Sequence, residues 1–295
     1  MPDYGRPLEF GVSVAPLSSA YSEIRATAAD ADRLGLDLMG IQDHPYQYRF
    51  LDTTTLLASL AASTERLRLF HDVASLPLRP APILAKEAAS IDLMSGGRFE
   101  LGLGAGSFWD AIASIGGPRR SPGEALAALE EAVAVSRLVW SGERDVVYDG
   151  DYYRLEGLNT GPVPAHPIEI WFGVGGPRAL ALLGRVADGW LPSLGRYRLE
   201  EIDIKHGIVD ESAEANGREP SAIRRLVNIN GTITGGRSDG FLNGPADQWV
   251  DELTRLTIDH GFDTFILWPE EPDNQVARFA DLLPEVRDAV ERERA

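Results

Sequence analysis

The 295-residue chain contains no cysteine, which excludes disulfides, thiolate metal sites and cysteine nucleophiles. It also lacks any run approaching the ~18 uncharged apolar residues of a membrane span. The opening residues, MPDYGRPLEF, do not follow the basic-then-apolar order of a secretory signal. A cytoplasmic protein with no membrane partner is the expectation. Cations are scarce as well: 28 Lys and Arg stand against 45 Asp and Glu, a formal charge of −17. Such a field disfavours nucleic acid, and an anionic ligand then needs a local device to hold it. There are five histidines, none in His-x-His or His-Glu-x-x-His spacing, so no metal site is expected. With neither a Gly-x-Ser-x-Gly elbow nor a Walker loop, hydrolase and kinase chemistry has no support.

What is present is a regular alternation of strand and helix. Residues 67–106 spell out one βαβ unit: an apolar run through Leu67, Leu69 and Val73, then a helix with Ile83, Leu84, Ala88, Ile91 and Met94 at helical spacing. Gly96-Gly97 stops that helix, because glycine takes the left-handed conformation of a C-cap, and a second apolar strand ends in Gly104-Ala105-Gly106. Similar reasoning places strands near 10–14, 38–42, 168–172, 189–191, 223–233 and 264–268. Asp52 reads as a helix N-cap and Ser121-Pro122-Gly123-Glu124 as a capping box. Residues 146–155 read as a hairpin around Asp149-Gly150, inserted between the fourth helix and the fifth strand. No composition break marks a linker, so one domain over 1–295 is expected. Eight βα units in about 250–300 residues point to a (β/α)8 TIM barrel, with a doubly wound sheet as the alternative.

In a barrel the C-terminal ends of all strands share one mouth, where chemistry sits. Asp43-His44 ends the second strand and is the best polar pair, able to exchange protons or hydrogen bonds there. Taken alone, the same pair is also explained as a loop cap beside a satisfied surface histidine. Asp72 closes the third strand, either as a functional acid or as a strand-end hydrogen-bonding residue. The loop Gly173-Val174-Gly175-Gly176-Pro177-Arg178 opens a helix, an arrangement that suits an anion but equally a simple turn with a solvent-facing arginine. A basic loop, Gly116-Gly117-Pro118-Arg119-Arg120, carries the same two alternatives.

Several segments in order carry a resemblance: ADADRLGLDLMGIQDH at 29–44, LDTTTLLASLAASTERLRL at 51–69, PLRPAPILAKEAASIDLMSGGRFELGLGAG at 77–106, YYRLEGL at 152–158 and IWFGVGGPRALALLGRVADGW at 170–190. Over nearly its whole length the chain resembles the bacterial-luciferase-like superfamily of flavin and deazaflavin oxidoreductases. The resemblance implies a luciferase-like TIM barrel with the cofactor ring in its mouth. It places a non-prolyl cis peptide at Asp72-Val73, so that Asp72, Val73 and Ala74 back the ring. It assigns the cofactor phosphate to Gly175, Gly176, Pro177 and Arg178, and the ribityl chain to Gly104 and Gly106.

The resemblance makes coenzyme F420 the first choice of cofactor and FMN the second, because Asp43-His44 looks like the Asp-His pair of the F420 branch. There the aspartate approaches the ring and the histidine handles the substrate proton. The expected activity is hydride transfer between a deazaflavin or flavin and a small organic substrate, with Asp43 and His44 catalytic. An FMNH2-dependent monooxygenase served by a flavin reductase is one alternative, and a non-catalytic cofactor-binding member of the scaffold is another. The F420-dependent glucose-6-phosphate dehydrogenases carry a glutamate and a tryptophan where this chain has Ser107 and Tyr48, which argues against a sugar phosphate. Phe108 and Trp109, with Trp268 across the mouth, point instead to an apolar or planar substrate, or equally to aromatic core packing. A homodimer is expected, as is common in the family.

Overall fold

The computed structural model describes residues 3–269 and 272–295; residues 1, 2, 270 and 271 of the expected domain lie outside the described residues. Within them, eight parallel strands close a barrel in chain order: β1 (Glu9–Val14), β2 (Leu38–Ile41), β3 (Arg68–His71), β4 (Phe99–Gly104), β5 (Ile170–Phe172), β6 (Gly189–Trp190), β7 (Arg224–Ile233) and β8 (Thr264–Pro269). Each strand pairs with the next, and β1 closes on β8 through Phe10↔Phe265 and Val12↔Leu267. The third strand is shorter than its apolar run because pairing lapses at Asp72-Val73 and resumes with β4 at Ala74–Ser75. The Asp72-Val73 peptide bond is cis.

Around the barrel lie α1 (Tyr21–Leu34), α2 (Thr53–Ala61), α3 (Ala81–Ser95), α4 (Trp109–Ser114), α5 (Pro122–Val139), α6 (Pro177–Val186), α7 (Leu199–Ala215), α8 (Ala246–Ile258) and α9 (Pro272–Arg294). Their ends follow the local chemistry. Asp52 accepts from the Thr55 N–H at 2.8 Å to start α2, Ser121 and Glu124 close a capping box on α5, and Gly96 ends α3 in the left-handed conformation. A two-stranded hairpin, Val146–Asp149 against Arg154–Leu158, stands between α5 and β5. Among the described residues no helix is long and apolar enough to cross a membrane.

The strand alternation sorts side chains into layers, as the pleat requires. One face of each strand packs on the helices, where Phe10, Val12, Leu69, Phe99, Phe172 and Phe265 join the main core. The opposite face fills the bore with Leu38, Phe70, Trp171, Leu226 and Ile266. Two residues earlier on the same strands, Arg68 pairs with Glu9 and, at 3.3 Å, with Glu100; Arg224 reaches Glu9 at 2.9 Å and Glu169 at 3.4 Å. This ionic layer seals the end of the bore away from the mouth. Two residues later come Ser13, Gly40, Asp72 and Asn228, which form the polar layer beneath the mouth.

His71, on the helix-facing side of β3, is fully buried with its Nε2 2.9 Å from the Thr54 hydroxyl. Burial pulls its pKa down to about 4, against a smaller opposing pull from Asp43. A histidine whose folded pKa lies below its unfolded value of about 6.5 contributes full stability above that value and loses it as pH falls toward the folded one. Between pH 7 and pH 5 this group alone should remove about 2 kcal/mol of unfolding free energy. Urea melts of wild type and His71→Met at the two pH values test this. The variant should lose that much less, and equal losses in both proteins would refute it.

Candidate active site

The strand ends surround a cavity of about 510 Å³ at the C-terminal mouth of the barrel. Eight of the residues singled out from sequence line it together: Asp43, His44, Asp72, Val73, Ala74, Gly104, Gly106 and Gly175. Gly176, Pro177 and Arg178 do not. Gly176 is the N-cap of α6 and Pro177 its first residue, and all three are exposed beside the cavity. Among the described residues Arg178 makes no ion pair. Tyr48 is 87% exposed and does not line the cavity, whereas Ser107 does.

Asp43 is buried at the end of β2, and its carboxylate is fully engaged. Arg79 approaches it with two parallel contacts, Nε to Oδ2 and Nη2 to Oδ1, both 2.8 Å, and the Ser75 N–H donates to Oδ2 at 2.8 Å. Burial works to raise its pKa, but the fork of Arg79 outweighs it, and Asp43 is held as the anion. The proton-handling role expected of Asp43 meets a physical objection here. A carboxylate locked to a guanidinium is a poor proton carrier, so Asp43 stands as a fixed charge beneath its neighbour.

That neighbour is His44, half-buried at the rim. Its Nδ1 lies 2.7 Å from the Tyr46 hydroxyl, and Phe108 meets the ring edge-on at 5.6 Å. Among the described residues Nε2 has no hydrogen-bond partner, which leaves it as the nitrogen available to a ligand. Burial pushes the His44 pKa down; the Asp43 charge opposes this and Arg196 adds to it.

Opposite, Val73 is seated among glycines. A methyl group on Gly104 or Gly173 would come within 2.8 or 2.9 Å of the Val73 side chain. These two positions therefore need glycine to admit Val73 to the cavity wall, whatever else they touch. The loop that follows β5 is pinned from below: Trp190 Nε1 donates to the Val174 carbonyl at 2.8 Å, and Lys205 Nζ to the Gly175 carbonyl at 2.6 Å. Arg196 lines the cavity and, among the described residues, pairs with no carboxylate.

Sequence reasoning missed Arg79, Tyr46, Asn228 and Arg196. Two of them left a signal. Arg79 is a lone cation between Leu78 and Pro80 just past a strand end, and Asn228 breaks the apolar pattern at a bore-facing position of β7.

Residues 7–235 match the family described as luciferase-like monooxygenase. The chain belongs to that family. Among curated relatives of this luciferase-like protein, an F420-dependent glucose-6-phosphate dehydrogenase of Kineococcus radiotolerans is 30% identical over 232 residues, covering 77% of this chain and 68% of the relative. Among solved structures, an F420-dependent secondary alcohol dehydrogenase in complex with an F420-acetone adduct superposes with a TM-score of 0.84 at 16% identity, over 97% of this chain and 99% of the other. A monooxygenase from Streptomyces bottropensis gives 0.80 at 20%, over 98% and 100%. At such identities the two structures speak for the shared luciferase-like barrel alone.

Proposed function

We propose that this chain is an oxidoreductase that passes hydride between coenzyme F420 and a small organic substrate. The observation that carries this proposal is the pairing, in one cavity, of a rim histidine with a free Nε2 and a glycine-backed wall at Val73. The F420-dependent dehydrogenases among its relatives support the choice of cofactor.

The residues fit such a group. The cavity is of ligand size, one wall seats Val73 between Gly104 and Gly173, and among the described residues the buried polar atoms on its floor, Asp72 Oδ2 and Asn228 Oδ1, have no hydrogen-bond partner. The bound cofactor would supply the two-electron chemistry. Gly104, Gly106 and Val73 to Ala74 would hold its ring and chain. Gly175 to Arg178 would hold its phosphate at the N-terminus of α6, with Arg196 adding positive charge against the −17 of the chain. His44 would move the substrate proton at Nε2, with Tyr46 fixing its tautomer and Asp43 and Arg79 fixing its place. Phe108 and Trp268 in the wall support an apolar or planar substrate.

A parallel titration of the apo-protein with oxidised coenzyme F420 and FMN, followed by quenching of cofactor fluorescence, tests the proposal. Micromolar binding of F420 alone is expected. Preference for FMN would turn the assignment toward an oxygen-using monooxygenase, as in the Streptomyces structure of the same fold, and O2 consumption would then be the assay.

A further inference from the structure

The floor of the mouth holds a second chemistry that the rim pair does not use. Asp72 is 8% exposed, Asn228 6% and Ser13 fully buried. Asn228 Nδ2 donates to Asp72 Oδ1 at 3.0 Å, a bond between β7 and the end of β3. Among the described residues the outer oxygen of each group, Asp72 Oδ2 and Asn228 Oδ1, is buried without a hydrogen-bond partner at bonding distance, as is the Ser13 hydroxyl. Asp72 and Asn228 both line the cavity. A buried acceptor left open costs about 1–3 kcal/mol, so an open pair here calls for a ligand that completes it.

Unlike Asp43, Asp72 has no cation paired with it among the described residues. The donors around it, Asn228, Ser13 and Trp268, are neutral and favour its anion, but burial is the largest influence and raises its pKa. A protonated carboxyl has one O–H to give. Asn228 already donates to Oδ1, which leaves Oδ2 as the position for such a hydrogen, and the open Asn228 Oδ1 is an acceptor beside it.

We propose that Asp72 and Asn228 form a neutral acid–amide clamp on the cavity floor, Asp72 Oδ2 donating and Asn228 Oδ1 accepting, that reads a carbonyl oxygen adjacent to an N–H on the bound ring. The imide edge of a deazaflavin or flavin presents that pattern. This rests on the cofactor assignment above and adds to it: Asp72 acts through its side chain as a neutral donor, and Asn228 on β7 becomes a ligand-binding residue. A neutral clamp also suits a chain of −17, in which a second buried anion at the mouth would add to the repulsion of an anionic cofactor.

Fluorescence titration of the apo-protein with oxidised F420 separates the possibilities. Asp72→Asn keeps an N–H donor in place of the O–H and should bind within about threefold of wild type, while Asp72→Leu and Asn228→Leu should each weaken binding about tenfold. Thermal melts of the apo variants establish folding, and Asp72→Ala stands in if leucine is not accepted at 72. Infrared spectra of the apo-protein with 13C-labelled aspartate should show a protonated-carboxyl C=O band at pH 7 that disappears in Asp72→Asn.

Loss of binding in Asp72→Asn equal to that in Asp72→Leu would mean that charge is what matters, and would overturn the clamp. Unchanged binding in both leucine variants, or no acid band at pH 7, would overturn it too. If wild type binds FMN in place of F420, the cofactor assignment fails while the clamp is judged by the same variants titrated with FMN, whose ring carries the same edge. Wild type that takes up neither ring overturns both.

Discussion

Replacing Arg79 with methionine should destabilise the protein by about 3–5 kcal/mol at neutral pH, the cost of leaving one member of a buried ion pair behind. The size follows from what Arg79 holds. Its two 2.8 Å contacts complete the coordination of Asp43, and Nη2 also reaches Asp52 at 2.7 Å, the residue that caps α2. One side chain therefore ties the end of β2, the loop after β3 and the start of α2. Methionine keeps most of the packed stem and removes the charge, leaving Asp43 with the Ser75 N–H alone. The sign of the pH dependence is a second handle. In wild type the Asp43 pKa is lowered, because Arg79 prevails over burial, so its contribution is present above the unfolded value near 3.9 and lost as pH falls below it. In Arg79→Met the largest opposition to burial is gone, with only the Ser75 N–H and the more distant His71 still favouring the anion, so the pKa rises and the deficit should shrink as pH is lowered from 7 to 5. Adding Asp43→Asn to Arg79→Met should recover much of the stability, because the orphaned charge is then gone. Urea melts of the three proteins at both pH values measure this. An Arg79→Met protein within 1 kcal/mol of wild type at pH 7 would mean that Asp43 is not held as described.

The barrel was legible because its rules are local. Apolar runs of four to six residues, glycine stops and caps such as Ser121 with Glu124 each act within one or two turns of chain, and they put the eight strands close to their places. The period-two pattern was legible too, since Arg68, Phe70 and Asp72 already alternate toward the bore in the sequence. What could not be read were partners distant along the chain. Arg79 meets Asp43 across 36 positions, and Asn228 meets Asp72 across 156. The pattern at Asp43 therefore showed an acid at the mouth but not the guanidinium that fixes its charge, and a proton-carrying role was assigned to a residue built to keep its proton off. Glycines are legible only in part. The resemblance links Gly104 to the ribityl chain, while its lack of a side chain is also required by Val73, a neighbour no local rule reveals. Of the loop at 175–178 only Gly175 reaches the cavity wall, because the chain turns outward into α6 at Gly176.

His44→Ala should lower kcat by about 10²- to 10⁴-fold, the usual worth of a positioned general acid or base, while leaving the affinity for cofactor and the thermal midpoint nearly unchanged. The separation of effects is expected because His44 lies at the rim, half-buried, and holds up nothing but its contacts with Tyr46 and Phe108. It also follows that the wild-type profile should have an acid limb below the ordinary histidine value. Burial, aided by Arg196, lowers the His44 pKa and outweighs the nearby Asp43 charge, so the neutral ring with an open Nε2 is the form present at pH 7. In the direction where the substrate gives up its proton, activity should be flat through neutrality and fall only as the ring is protonated in acid. Tyr46→Phe separates orientation from chemistry. Without the 2.7 Å contact at Nδ1 the imidazole loses the partner that sets its tautomer, so kcat should drop several-fold with KM little changed, far less than in His44→Ala. A His44→Ala enzyme that turns over within threefold of wild type would remove His44 from the chemistry. The proton would then have to be handled elsewhere in the mouth, and Asp72, the buried carboxyl there without a cation beside it, is the group to which the same pH analysis would next apply.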